Sequence, residues 1–256
     1  MPSVVLTRWR QGKRTIPFPA PELGLPERFR GLPRLDAARC EAGCGACVEA
    51  CPTGAVHTDP LRVDLGACVF CPACVAACPG GAITYTTSHR LASSERESLL
   101  LLSTGSQAPP QVTALERSMR RLFGRSLRLR QVSAGGCNGC EAELTALSNV
   151  VFDLSRFGIQ FVASPRHADS IVISGPVTRN MELALRKTYD AVPAPKLVIA
   201  VGACAISGGA FAGSPAATDG VPKDIPVDLF VPGCPPHPLT LLDGLLRLLG
   251  RLEPDA

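Results

Sequence analysis

The chemistry open to this chain is concentrated in its twelve cysteines. Eight of them lie between Cys40 and Cys78, in the runs CEAGCGACVEACP (40–52) and CVFCPACVAACP (68–79). The second run has the form C-x2-C-x2-C-x3-C-P, in which three close thiolates bind one [4Fe–4S] cluster and the fourth reaches across to another. Crossing over in this way groups Cys40, Cys44 and Cys47 with Cys78, and Cys68, Cys71 and Cys74 with Cys51. The repeat runs past the cysteines, since CPTGAV (51–56) is echoed by CPGGAI (78–83), the mark of an internal duplication. The first run departs from the pattern by opening C-x3-C. Gly43 and Gly45 offer places to absorb the extra residue, because glycine tolerates dihedrals that other residues do not. The alternatives are that Cys40 is no ligand, or that this cluster is labile or three-iron. Zinc is the alternative metal for the whole region.

The remaining cysteines, Cys137, Cys140, Cys204 and Cys234, are scattered, and the elements around them explain why. LRLRQVS (127–133) ends at AGGC, IVIS (171–174) at GPVT, LVIAV (197–201) at GAC, and VDLFV (227–231) at PGC. Between these strand-like runs, residues 140–150, 178–192 and 238–252 read as helices, with Met181, Leu185 and Tyr189 on one face. Such alternation implies a parallel, flavodoxin-like α/β sheet. Ligands of such sheets sit beyond the carboxyl ends of the strands, so one crevice can collect all four thiols. Glycines at 135, 136, 139, 202 and 233 let the backbone approach a bulky group there. A third [4Fe–4S] cluster then accounts for every cysteine.

Composition agrees. Of 256 residues 46% are hydrophobic, enough for a real core, and the formal charge of +4 is too mild to indicate nucleic acid. No apolar run approaches the ~20 residues of a spanning helix, and the N-terminus lacks the apolar stretch of a signal peptide. The arginine pair at 120–121 lies far from where an export signal stands. The chain is therefore expected in the cytosol, where many cysteines argue for metal over disulfides. Residues 91–113, Ser-rich and broken by Pro109 and Pro110, read as a boundary. Beyond them ALERSMRRLFGR (114–125) spaces Leu115, Met119, Leu122 and Phe123 as a basic amphipathic helix, which either lies on a membrane or acidic partner or covers the next domain. The expected order is an extended proline-rich arm (1–31), a small α+β two-cluster ferredoxin domain (32–90), a linker with the basic helix (91–126), and the α/β domain (127–256).

Longer motifs carry a resemblance. TIPFPAPELGLPERFRGLPRLDAARC (15–40) resembles the arm and RG turn that lead into the two-cluster ferredoxin subunits of formate hydrogenlyases, energy-converting hydrogenases and respiratory complex I. GGCNGCEAEL, RFGIQFVASPRHAD (156–169), GPVT (175–178), GACA…GG (202–209) and IPVDLFVPGCPP (225–236) resemble the small subunit of membrane-bound, group 4 [NiFe]-hydrogenases. The same motifs occur in the homologous complex I subunit that carries the last cluster before quinone. That subunit has adjacent cysteines in the first motif, whereas CNGC keeps two residues between them, as on the hydrogenase side.

The resemblance implies that Cys137, Cys140, Cys204 and Cys234 hold the cluster nearest the active site of a catalytic large subunit. Glu143 falls where relatives have a glutamate, with a proton-transfer or cluster-tuning role; an ordinary helix-surface carboxylate is the alternative. Arg166 and His167 are expected to border the cluster or the partner, while His57, His89 and His237 have no assigned role. The implied function is an electron-transfer subunit with three [4Fe–4S] clusters, peripheral on the inner face of the membrane through membrane-arm subunits and fed by an electron-carrier or dehydrogenase subunit. The alternative is the equivalent subunit of a complex I-like quinone oxidoreductase lacking nickel. A cysteine-rich structural or nucleic-acid-binding zinc protein is a rival from another class.

Overall fold

The computed structural model describes residues 3–20, 24–104 and 107–252. Positions 1–2 and 21–23 of the expected arm, 105–106 of the linker and 253–256 of the last domain lie outside the described residues. In chain order the elements are α1 (Val4–Gln11), β1 (Pro33–Leu35), α2 (Ala46–Glu49), β2 (Val56–Thr58), β3 (Leu61–Asp64), α3 (Ala73–Ala77), β4 (Ile83–Tyr85) and β5 (Leu100–Leu102). There follow α4 (Arg117–Phe123), β6 (Leu127–Ser133), α5 (Gly139–Ala146), β7 (Ile159–Phe161), β8 (Ser170–Ser174), α6 (Arg179–Ala191), β9 (Leu197–Val201), α7 (Ala203–Ser207), β10 (Leu229–Val231) and α8 (Pro238–Leu248).

The second half is the parallel α/β domain that the alternation implies. Its five strands lie in the order β10-β9-β8-β6-β7, every neighbouring pair parallel. Numbered within the domain this is 5-4-3-1-2, the flavodoxin-like order, with its switch point between β6 and β8. The central strands β8 and β9 are buried at every position, as expected of strands covered on both faces. One face packs on α5 and α8, where Leu241, Leu242, Leu245 and Leu246 are nearly inaccessible, each worth about 2 kcal/mol of burial. The other face packs on α6 through Met181, Leu185 and Tyr189, the side chains that the helical spacing puts on one face. The edge strand β7 is only three residues long, and the sequence pattern gives no expectation of it.

The first half has its own core around Leu35, Val56, Leu61, Leu65, Ile83 and Leu99. β1 pairs with β4, and β2, β3 and β5 form an antiparallel sheet. Here the linker expectation needs correcting. Leu100–Leu102 adds β5 to β3, and Leu91, Ala92 and Ser93 are buried, so residues 91–102 are part of the structure. Ser93 and Phe230 exchange backbone hydrogen bonds of 3.0 and 2.8 Å, which fastens the segment to the outer edge of β10. The arm expectation also changes, because its start is the helix α1 and its Phe18 is buried in the α/β core. The basic helix exists as α4, with Phe123 buried and Leu115 and Met119 packed against the same core. Most of its apolar side thus covers the domain, while Leu122 stays exposed. Among the described residues no helix is long and apolar enough to cross a membrane.

Candidate functional site

The duplication seen in the sequence is repeated in three dimensions. Cys51 and Cys78 each accept a hydrogen bond at Sγ, 3.2 Å from the N–H four residues on, at Ala55 and Ala82. Gly54 and Gly81 both turn with φ +63°, a left-handed conformation that needs glycine. These two tight turns aim the fourth cysteine of each run away from its own run.

Cys40, Cys44, Cys47 and Cys78 line one apolar cavity, together with Leu61, Ala82 and Ile83. Cys51, Cys68, Cys71 and Cys74 line a second, with Val56, Val63, Ile83 and Tyr85. Ile83 separates the two. In the C-x3-C opening only Gly43 takes an unusual dihedral, φ +79°; Gly45 is ordinary at −111°. Tyr85, missed by sequence reasoning, donates its hydroxyl to the carbonyl of Cys71 at 3.1 Å and stands 4.0 Å from Cys68 Sγ. The duplication carries no signal for it, because Thr58 occupies the equivalent place.

The third group gathers at the carboxyl end of the parallel sheet. Cys137 and Cys140 follow β6, Cys204 follows β9, and Cys234 follows β10. Glycine makes this crowding feasible. A Cβ on Gly202 (φ +86°) would stand 2.6 Å from Cys140 Sγ, and one on Gly209 (φ +53°) would stand 3.1 Å from Cys204 Sγ. Cys137 and Cys234 are exposed, while Cys140 and Cys204 sit deeper, so the group opens outward on one side. Glu141, another residue that sequence reasoning passes over, accepts a 2.7 Å hydrogen bond from the buried Ser174 hydroxyl. That bond ties α5 to the end of β8. Its carboxyl is pushed up by burial, but bonds from Ser133 and Ser174 outweigh this and hold it low.

Burial and mutual repulsion push six of these thiols up. Burial pushes Cys68 up to about 12. Cys140 reaches about 12 through burial, then the charges of Glu141, Cys204, Cys234 and Cys137. Cys47, Cys74, Cys204 and Cys234 are raised for the same two reasons. Cys51 moves the other way: burial pushes it up, but bonds from Thr53, Ala55 and Val56 more than offset this and hold it low. Four thiolates held this close require a cationic partner. The first two sets each surround a small apolar cavity, and the third gathers where Gly202 and Gly209 leave room beside Cys140 and Cys204. Apolar lining, backbone N–H groups on sulfur and glycines at the closest approach fit an iron–sulfur cluster.

The other expected residues separate. Glu143 lines a crevice with Phe29, Phe70, Cys234 and His237, and burial pushes its carboxyl up. His237 caps α8, its Nδ1 accepting from the Leu239 N–H at 3.2 Å. His57 is exposed on β2 and His89 is half-buried. Arg166 and His167 do not border the cysteines. They sit in a turn just before β8, whose Ser170 pairs with Leu129, at the starting edge of the sheet, and the thiols lie beyond the opposite edge.

Comparison with known proteins agrees with this geometry. Residues 32–87 match the 4Fe-4S dicluster domain, and residues 137–248 match the NADH ubiquinone oxidoreductase 20 Kd subunit. Formate hydrogenlyase subunit 7 of Escherichia coli is 42% identical over 56% of this chain and 56% of its own length, so the chain spans about half of that relative. The probable membrane-bound hydrogenase subunit mbhJ of Pyrococcus furiosus is 42% identical, over 52% of this chain and 79% of that protein. A NADH-quinone oxidoreductase subunit of Heliobacterium modesticaldum is 46% identical, over 48% of this chain and 71% of that protein. The chain therefore belongs to the family of iron–sulfur oxidoreductase subunits that includes the 20 kDa subunit of NADH–ubiquinone oxidoreductase and its membrane-bound hydrogenase counterparts, here joined to a 4Fe-4S dicluster domain.

Proposed function

We propose that this chain is the electron-transfer subunit of a membrane-associated hydrogenase-like complex, with three [4Fe–4S] sites in one polypeptide. Cys40, Cys44, Cys47 and Cys78 would hold the first cluster, Cys51, Cys68, Cys71 and Cys74 the second, and Cys137, Cys140, Cys204 and Cys234 the third. Clusters bound there supply one-electron chemistry. The chain's own part is to fix their order. One observation carries this reading: Val69 and Phe70, inside the second run, line one crevice with Cys234. The second set therefore adjoins the third, and the third opens outward at Cys137 and Cys234. That open side is where a catalytic subunit would sit, and the first set is the natural entry from an electron carrier. Glu143, beside Cys234 in the crevice, is proposed to tune the third site or pass protons there.

A second reading has specific support in the 46% identity to a NADH-quinone oxidoreductase subunit. The partner would then lack nickel and reduce a quinone. Hydrogen evolution or quinone reduction by the purified complex separates the two.

The test of the wire is Cys140→Ser in the assembled complex. Reductant should still produce the EPR signals of the first two sites, while turnover collapses. Turnover that survives with the third signal gone would overturn the proposal. Wild-type protein should carry roughly twelve irons, three clusters of four; stoichiometric zinc would sustain the zinc rival instead.

A further inference from the structure

The basic helix at 114–125 is where the sequence suggests a membrane contact, yet α4 sets Met119 and Phe123 against the core and leaves Leu122 exposed. α1 packs far less. It buries none of its residues, and Val5 is 77%, Leu6 43% and Trp9 80% exposed. Val5 and Trp9 stand one turn apart with Leu6 beside them, and Arg8 and Arg10 flank this edge on its two sides. Residues 1–20 contain the cations Arg8, Arg10, Lys13 and Arg14 and no Asp or Glu.

The helix is held at its root and free along its length. Just after it, the Thr15 hydroxyl donates to the Val150 carbonyl at 2.9 Å, and the Ile16 N–H donates to the Val151 carbonyl at 2.9 Å. Phe18 then enters the core. An eight-residue helix is marginal alone in water, so a surface that takes up Val5, Leu6 and Trp9 would supply what packing supplies elsewhere.

We propose that α1 is a lipid-contact helix, laying the Val5–Leu6–Trp9 edge into an anionic membrane surface with its cations among the headgroups. Exposed apolar side chains at Val4, Val5, Leu6 and Trp9, an aromatic ring suited to the interface and interspersed cations with no acid nearby match an interfacial helix. A protein groove would be expected to offset the segment's four cations with acidic partners on the segment itself, and residues 1–20 have no Asp or Glu. The proposal concerns residues remote from the cysteines and stands whether or not the cluster assignment holds.

Trp9 is the chain's one tryptophan, so intrinsic tryptophan fluorescence reports on α1 alone. With the full cluster-loaded chain, emission should shift to the blue on adding phosphatidylglycerol-containing vesicles at low salt, and stay put with pure phosphatidylcholine. Arg10→Gln and Lys13→Gln should each weaken vesicle co-sedimentation about fivefold. Trp9→Ser should abolish it with iron content unchanged, because α1 buries nothing. An unshifted emission with anionic vesicles would overturn the proposal. So would a shift seen only when partner subunits assemble in detergent, which would mean that protein covers the helix.

Discussion

The hydroxyl of Ser207, in the turn that carries Cys204, donates to the carbonyl of Gly66 at 2.9 Å. Gly66 closely precedes the run that holds Cys68, Cys71 and Cys74. The bond therefore spans the two halves within a few residues of the second and third cysteine sets. Close packing accompanies it: a Cβ on Gly66 would stand 2.8 Å from Ile206 Cγ2 and from the guanidinium of Arg96. Arg96 cannot simply swing away, since it makes a two-pronged ion pair with Asp64 at 2.9 and 2.6 Å. The halves are docked surfaces rather than beads on a flexible tether.

Gly66→Val should therefore act on the docking more than on either core. Overpacking of this kind costs about 1–3 kcal/mol. The expected result is earlier unfolding with two resolved transitions, and slower electron passage to the third site at unchanged iron content. A single transition at the wild-type midpoint would show that the contact does not couple the halves.

α4 should behave as a packing element. Phe123→Ala empties a buried site and is expected to destabilise the α/β half by about 3 kcal/mol in denaturant titration. Arg117→Glu with Arg121→Glu leaves the buried side untouched, and the complex should stay on membranes at ordinary salt. Release by the charge reversal would restore α4 as a membrane contact.

The cysteine grouping is legible in the sequence because doubled spacing and topology both restrict it. The proline-ended repeat dictates the crossover in the first half, and strands ending in glycine loops gather the other four thiols. What is not legible depends on long-range pairing. Leu100–Leu102 is too short to read as a strand until β3 is there to pair with it, and Ile159–Phe161 becomes a strand only beside β6. Arg166 and His167 do not border the cysteines, because proximity along a motif does not say which edge of a sheet it meets. Glu141 leaves a faint signal, a carboxylate beside Cys140, but its partner Ser174 is 33 residues away.

His89 should make stability fall on mild acidification. Burial lowers it to about 4, aided by the charges of Arg90 and Arg247. Phe18 meets its ring edge-on at 5.9 Å, and Asp243 shares the same crevice. Above pH ~6.5 the imidazole is neutral whether folded or unfolded and contributes no pH dependence. Between that pH and about 4 the unfolded chain takes a proton that the folded chain refuses, so stability drops as pH falls. Thermal midpoints at about pH 7 and about pH 5 should differ less in His89→Gln than in wild type. An equal difference would mean that His89 is freely protonated in the fold.

The extra residue in the C-x3-C run gives the sharpest comparison. Gly43 sits at φ +79° with no atom within 4 Å of where a Cβ would stand, and Gly45 sits at −111° with only Glu49 Oε1, at 4.0 Å. Neither alanine would clash, so any difference between them is backbone strain. A side chain at left-handed φ costs about 1–2 kcal/mol, so Gly43→Ala should strain the loop that joins Cys40 to Cys44, and Gly45→Ala should not. Under oxidative titration the first site's EPR signal should disappear earlier in Gly43→Ala, with the second and third sites holding their wild-type order. Gly45→Ala should track wild type throughout. If the two variants lost the first site equally early, the extra residue would not be absorbed at Gly43. If neither did, Cys40 would be dispensable to that site, and Cys40→Ser should then leave its signal in place.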